Sequence, residues 1–488
     1  MSKPEIPKTD AIVVGSGPNG LAAAIRLAQA GWSVAVLEAA ETPGGGVRSA
    51  ELTLPGFVHD ICSSVYPMAI ASPFLRTLPL EKHGVEWVLP PAAYAHPLNG
   101  DDGTAAVAYN SLEETVASLG EDGAVYRRLI GNFVADADKL LRDSLSMPGV
   151  PRHPLLMAKF GLLALRPASS MGRMFKTARA RGLFAGIAGH SMLPLEMLGT
   201  SAPALLLGIT AHAAGWPFVR GGAQRLTHGL VSYLESLGGQ VITGWKVETL
   251  EELPAVRALL LDVTPRQFLR IAGQHLPGYY RRNLERYRYG MGVYKIDWAL
   301  REPVPWRAQE CRQAGTVHLG GSLEEICDSE SRAWRGEVAE RPYVLFAQPS
   351  LFDPKRAPAG RHTAWGYCHV PHGFGGNMVE RIESQVERFA PGFRDCILAR
   401  SVMGPTELER HNPNLIGGDI GGGAPLLSQL LFRPTASLHK TPVPGVYLCS
   451  SSTPPAPGVH GMCGYSAAQT VLIRYKRNNL GKPPISSS

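Results

Sequence analysis

The chain has 488 residues, 44% of them hydrophobic and 18% charged, with a formal net charge of +7. That length exceeds one ordinary core and implies two or more domains. No apolar run is long enough to span a bilayer, and the dense Lys/Arg runs with interleaved aromatics that bind nucleic acid are absent. An anionic cofactor or an anionic membrane surface accounts equally well for the positive charge. The seven cysteines form no C-x-x-C pair and no metal-ligand cluster emerges, so neither a disulfide framework nor a metal site is expected. The polar start "MSKPEIPKTD" has neither signal-peptide nor transit-peptide character. A cytoplasmic, reducing setting follows, with peripheral membrane contact left open.

"DAIVVGSGPNGLAAAIRLAQAGWSVAVLEAA" (10–40) reads as strand, turn, helix, strand. Gly15 allows the tight turn, Gly17 the approach of a pyrophosphate, and Gly20 the packing of helix on sheet. The helix N-terminus offers free N–H groups to phosphates. Glu38, at the end of the second strand, suits ribose hydroxyls with an unphosphorylated 2′ position. A second glycine cluster, "PGGGVRS" with Gly44, Gly45, Gly46 and Arg48, suggests a loop folding back across the dinucleotide, which nicotinamide enzymes do not usually need.

From about Leu78 to Met192 the pattern is mostly helical with proline breaks. Between Asp143 and Glu196 there is no acidic residue, while Arg152, Lys159, Arg166, Arg173, Lys176, Arg179 and Arg181 stand among Leu, Met, Phe and Ala. Such a segment fits either an anionic membrane or an ordinary cap helix with a solvated basic face. Leu226, Leu230, Tyr233 and Leu234 follow helical spacing, Gln240–Thr243 starts a strand and "ALLLDVTP" (258–265) is another. "GVYKIDWALREPVPW" (292–306) alternates with period two, Tyr294, Ile296, Trp298 and Leu300 on one side, Lys295, Asp297 and Ala299 on the other. Residues 342–371 read as two strands around a Pro-rich connection, and "MVERIESQVERFAPG" as an amphipathic helix. "GGDIGGGAP" (417–425) is glycine-rich but lacks the strand–turn–helix of a second dinucleotide site. Near the end, "GVYLCSS" reads as a strand, "TPPAPG" as a stiff loop, and the segment from about His460 as a helix start.

These stretches, with "FVRGGAQRL", "YKIDWAL", "QPSLFDPKRAPAG", "NPNLIGGDIGGG" and "YLCSSSTPPAPGVHGMCGYSAA", resemble the phytoene dehydrogenase-related oxidoreductases of the flavin amine oxidase superfamily over nearly the whole chain. The resemblance implies an α/β protein: a Rossmann-like FAD-binding domain of separated segments (1–77, 215–265, 411–488) and an α+β substrate domain (78–214, 266–410) with a mixed or antiparallel sheet and a helical cap. It implies FAD as the only bound cofactor, held by Gly15, Gly17, Pro18, Asn19, Gly20, Glu38, Gly45, Gly46, Arg48, Val247, Ser451, Gly458, Val459, Gly461 and Met462, with the terminal helix aimed at the ring. Lys295 matches a superfamily lysine that reaches flavin N5 through water; a surface lysine paired with Asp297 is the alternative. His460 is a second catalytic candidate, or a helix cap. His318 and His369 are weaker candidates, and Tyr465 is expected in the cavity wall. The implied activity is dehydrogenation of an apolar, isoprenoid or carotenoid-like substrate, with oxygen, a quinone or another carrier as electron acceptor. A flavin amine oxidase and a flavin-binding protein with a structural role stand as alternatives.

Overall fold

The computed structural model describes residues 4–98, 103–430, 432–455 and 457–479. Residues 1–3 of the polar N-terminal stretch and residues 480–488 of the last expected FAD-binding segment lie outside it.

Five short strands form a parallel sheet in the order Val446–Leu448, Ala258–Leu261, Ala11–Val14, Val34–Leu37, Gln240–Ile242. The three central strands are four-residue apolar runs, fully buried, as expected of parallel strands covered on both faces. Their register pairs Ala11 with both Val34 and Ala258. The first helix (Pro18–Ala28) starts with proline in the first turn, where a missing N–H costs nothing. It packs against the terminal helix (Met462–Asn479) at an unusually close crossing: a Cβ on Gly464 would lie 1.7 Å from the carbonyl oxygen of Asn19. The first and last segments of the chain therefore share one core, with Leu21, Ile25, Met462 and Val471 in it.

A seven-stranded sheet forms the second body, in the order Ile397–Met403, Gly292–Leu300, His362–Val370, Val344–Ala347, Ala314–Leu319, Ala92–Pro97, Ala105–Tyr109. Its pairs are antiparallel except that between Ala314–Leu319 and Ala92–Pro97, so the sheet is mixed. The alternation expected in Gly292–Leu300 holds: Tyr294, Ile296, Trp298 and Leu300 enter one core, while both faces are covered. Helices Pro154–Ala164, Ala178–Ala188 and Ser201–Ala213 make the cap. The stretch from Leu78 is less helical than expected, because residues 92–97 and 105–109 are strands. Alanine-rich "AAYAHP" and "AAVAY" have no strong strand propensity; burial between neighbours decides their state. All seven cysteines are free. Among the described residues no helix is long and apolar enough to cross a membrane, and no cluster could hold a metal.

Candidate cofactor and substrate cavity

One cavity of about 1090 Å³ runs from the glycine turn to the cap helices. At one end it is lined by Gly15, Gly17, Pro18, Asn19, Glu38, Gly45, Gly46 and Arg48, together with Val247, Ser451, Gly458 and Val459. Residues from the two ends of the chain thus wall a single space.

The local chemistry fits an anionic dinucleotide at this end. Gly17 caps the first helix, and a Cβ there would approach a carboxyl oxygen of Asp262 to 2.9 Å. The side-chain oxygen of Asn19 is buried without a partner. Glu38 accepts from the Ser16 and Ala40 N–H groups, each at 2.9 Å, and from the Ser16 hydroxyl. A carboxylate has about four acceptor sites, so capacity remains for a ribose hydroxyl. Arg48 donates to the carbonyls of Gly45 (2.9 Å) and His411 (3.1 Å), which fixes the second glycine loop against a distant turn. Burial pulls the Arg48 guanidinium below its ordinary pKa, opposed by Glu38. Trp245 and Val247 lie beside Glu38, the Trp245 N–H bonding the Glu38 carbonyl at 2.8 Å.

Other expected residues sit elsewhere. Gly20 does not line the cavity; its N–H donates to Asp262 at 2.9 Å, and a Cβ would strike the Gly15 carbonyl oxygen at 2.0 Å, so it serves helix packing. Gly461 and Met462 also lie outside the lining: a Cβ on Gly461 would be 2.9 Å from that of Ala22, and Met462 is buried in the core beneath the first helix. His460 is fully buried and its Nδ1 accepts the Met462 N–H at 3.0 Å, the capping arrangement. That bond takes one of the free N–H groups of the helix start, which follows directly on the lining residues Gly458 and Val459. The Tyr465 ring packs at a tilt against Phe74, centroids 4.7 Å apart, and is not in the lining. Lys295 is neither at the surface nor in the lining; it is 2% exposed, hydrogen-bonded to Asp297 and 5.6 Å from the Trp365 ring, which does line the cavity.

Several lining residues were not legible from sequence. Asp262 stands at the end of Ala258–Leu261; burial pushes its carboxyl up to about 7, against the Gly20 hydrogen bond. The glycine-rich loop at 417–425 lines this cavity through Asp419, Ile420 and Gly421–Gly423. Arg433, fully buried, holds that loop by the carbonyls of Gly421 (2.7 Å) and Gly423 (3.3 Å). Ser452 donates to the Gly422 carbonyl at 2.6 Å and Ser450 to that of Val263 at 2.8 Å, so the serines at the strand end tether cavity loops. The other end of the cavity is apolar, with Met157, Phe160, Leu206, Leu207, Trp216 and Leu345.

The family model for an NAD(P)-binding Rossmann-like domain matches residues 13–77. The chain is 26% identical over 554 residues to "pyridine nucleotide-disulfide oxidoreductase domain-containing protein 2" of Rattus norvegicus, covering 96% of this chain and 94% of the relative. It is 24% identical over 504 residues to a lycopene-forming phytoene desaturase of Paracoccus sp., covering 95% and 97%. Among solved structures, an oxidoreductase from Methanosarcina mazei superposes with a TM-score of 0.64 at 15% identity, covering 95% of this chain and 99% of that one. Cyclohexylamine oxidase from Brevibacterium oxydans gives 0.56 at 14%, covering 96% and 100%. The fold, the Rossmann-like domain and the desaturase homologues point together to a flavin cofactor. Over nearly its whole length the chain is thus similar in sequence to phytoene desaturases, and it shares the fold of these solved oxidoreductases around a Rossmann-like domain.

Proposed function

We propose that the protein is an FAD-dependent dehydrogenase that desaturates carbon–carbon bonds of an apolar, isoprenoid-like substrate. The observation that carries this reading is the continuity of one cavity, from a glycine cradle with Glu38 at one end to an apolar chamber under the cap at the other. Two hydrogens leave in a desaturation: FAD, when bound, would supply the acceptor for the hydride from one carbon, while the hydrogen on the neighbouring carbon leaves as a proton, released to solvent, as the double bond closes. The chain's own part is to hold the phosphates at Gly15–Asn19, enclose the substrate and exclude water. The electron acceptor, whether oxygen, a quinone or another carrier, reaches the same site.

An amine oxidase calls for two rings flanking the substrate amine. Trp365 and Tyr367 line the cavity, but their rings lie parallel, 1° apart in plane, with centroids 5.9 Å apart. A group held between two rings needs about 7 Å, twice a carbon–carbon contact. The pair therefore offers a flat wall rather than a cage, which favours the desaturase reading.

The test is the absorption spectrum of the purified protein, then anaerobic bleaching by polyenes, amines and hydroxylated lipids. Flavin bands bleached by isoprenoid-like compounds and not by amines are expected. A colourless protein that takes up no FAD, or bleaching by amines alone, would refute the proposal.

The same reading includes contact with an anionic membrane. On helix Pro154–Ala164, Met157, Phe160 and Gly161 line the cavity while Leu155 is 80% and Leu162 74% exposed; Val150 and Leu165 lie exposed near them in sequence. Arg152, Lys159, Arg166 and Arg173 are exposed in the same segment. Apolar side chains ringed by cations match an anionic lipid surface, and the helix is one layer from the chamber.

A further inference from the structure

Helix Ala178–Ala188 and the turn after it lie on the seven-stranded sheet through glycines. A Cβ on Gly186 would come within 2.8 Å of His318, and one on Gly189 within 2.3 Å of the Tyr343 ring. This close seat leaves His318, on the strand Ala314–Leu319, fully buried with its Nδ1 unpartnered. Its other nitrogen, Nε2, meets Nε2 of His190 at 3.0 Å. His190 lines the cavity, in the turn where Met192, another lining residue, is held at a positive φ of 51°. A non-glycine residue at positive φ costs free energy that the surroundings must offset.

The sealed Nδ1 of His318 is held more cheaply as a bare acceptor than as an N–H with nothing to receive it. His318 therefore carries its proton on Nε2 and donates to His190. That assignment leaves His190 with its proton on Nδ1. This group has no partner among the described residues, and neither does the hydroxyl of Tyr367, which also lines the cavity. The rings of Tyr367 and the buried His369 lie 5.8 Å apart, and His369 is itself committed to Glu330 at 2.6 Å.

Two free donors thus line the same cavity as the apolar Met157, Phe160, Leu206, Leu207 and Leu345. An apolar chain filling this space would desolvate both donors without pairing either, at a cost comparable to a lost hydrogen bond. We propose that His190, positioned by His318, and Tyr367 receive an oxygen of the substrate, so that the substrate class is an apolar molecule bearing one carbonyl or hydroxyl rather than a pure hydrocarbon. The inference rests on the dehydrogenase reading for where the substrate lies. Burial also holds both imidazoles far below the ordinary histidine pKa, His190 at about 3, so the pair stays neutral and suits an uncharged oxygen.

The test uses the flavin-loaded full chain and three probes: geranylacetone, the alcohol made by its reduction, and the hydrocarbon with methylene in place of the carbonyl. Binding is read by quenching of intrinsic tryptophan fluorescence, and the ketone also by its infrared carbonyl band. In the wild type the band should fall to lower frequency than in hexane. In H190L it should return towards the hexane position, with a roughly tenfold loss of affinity for the ketone and none for the hydrocarbon. H190N, which keeps an N–H at the Nδ1 position, should retain both, and Y367F should show a partial loss.

A hexane-like band in the wild type overturns the proposal, and this measurement decides even if H190L does not fold. So does a lowered band that survives H190L, equal losses for ketone and hydrocarbon, or failure of the ketone to bind. None of these readouts involves flavin reduction. Loss of the oxygen preference with bleaching intact sinks this inference alone; absence of bleaching with the preference intact sinks the dehydrogenase reading alone.

Discussion

Asp262 places a buried carboxyl at the end of a parallel strand, against the glycine turn, where an anion is expected. Its ordinary pKa of 3.8 rises to about 7 in the fold, through burial and the nearby Glu38. The folded state then holds a proton that the unfolded state releases. Its contribution to stability is full below about pH 4 and is lost as pH rises through 7, at most a few kcal/mol over that window. D262N should flatten the fall in stability between pH 4.5 and 7.5 measured by chemical denaturation, and should bind FAD more tightly than wild type at pH 8; an unchanged pH slope would refute this. Lys295 poses the complementary case. K295M leaves Asp297 as an unpaired buried carboxyl and should cost about 3–5 kcal/mol in urea unfolding, most of it recovered in the K295M/D297N double variant. If Lys295 also assists the redox step, the stabilised double variant will still reduce or reoxidise its flavin slowly; wild-type rates in both half-reactions would leave Lys295 a structural role only.

Where two helices cross, the absence of a side chain sets the spacing. G464A inserts a methyl 1.7 Å from the Asn19 carbonyl, which is backbone and cannot swing away. It should lower the thermal midpoint and, because Pro18 and Asn19 move with that carbonyl, weaken FAD binding. G161A is the control: a Cβ there meets nothing within 4 Å, so helix propensity alone should add about 0.5–1 kcal/mol. Equal behaviour of the two variants in calorimetry would refute the crossing argument. On the cap helix, L155D/L162D should abolish sedimentation with phosphatidylserine vesicles; a dimer lost on substitution, without vesicle binding in the wild type, would assign that face to a second copy instead. The parallel strands were readable because burial on both faces leaves uninterrupted Val, Ile, Leu and Ala. So were the glycine turn and Glu38, whose spacing along the chain is itself the signal. Strands 92–97 and 105–109 were not, since alanine states no preference that packing cannot override. Nor were Asp262, which meets Gly20 across 242 positions, or the His190–His318 pair, 128 apart. Such contacts exist only once the fold has formed.

The parallel-sheet body and the mixed-sheet body must stay in register for one cavity to pass between them, and the buried Arg356 helps to join them. Arg356 is fully buried, forms an ion pair with Asp60 at 3.0 Å, donates to Asp353 at 3.1 Å and to the Val219 carbonyl at 3.1 Å. Asp60 in turn takes the Ala223 N–H at 2.7 Å and the Ser49 and Ser64 hydroxyls, while Asp353 takes the Gly221 N–H at 2.6 Å. Three distant segments meet here. One runs on into Ser63–Met68 of the cavity wall; another precedes the strand that carries Trp365 and Tyr367. R356M would strand two buried carboxylates, so a loss of about 3–5 kcal/mol is expected. R356K keeps the charge but not the planar fork that reaches three partners, and should fall between. The distinguishing readout is the cavity rather than the melting point: if the knot sets the separation of the two walls, R356K should bind FAD and an apolar ligand less tightly than wild type under conditions where circular dichroism shows it fully folded. A folded R356K with wild-type affinity for both would show that the arginine stabilises each body separately and leaves their spacing to the cores.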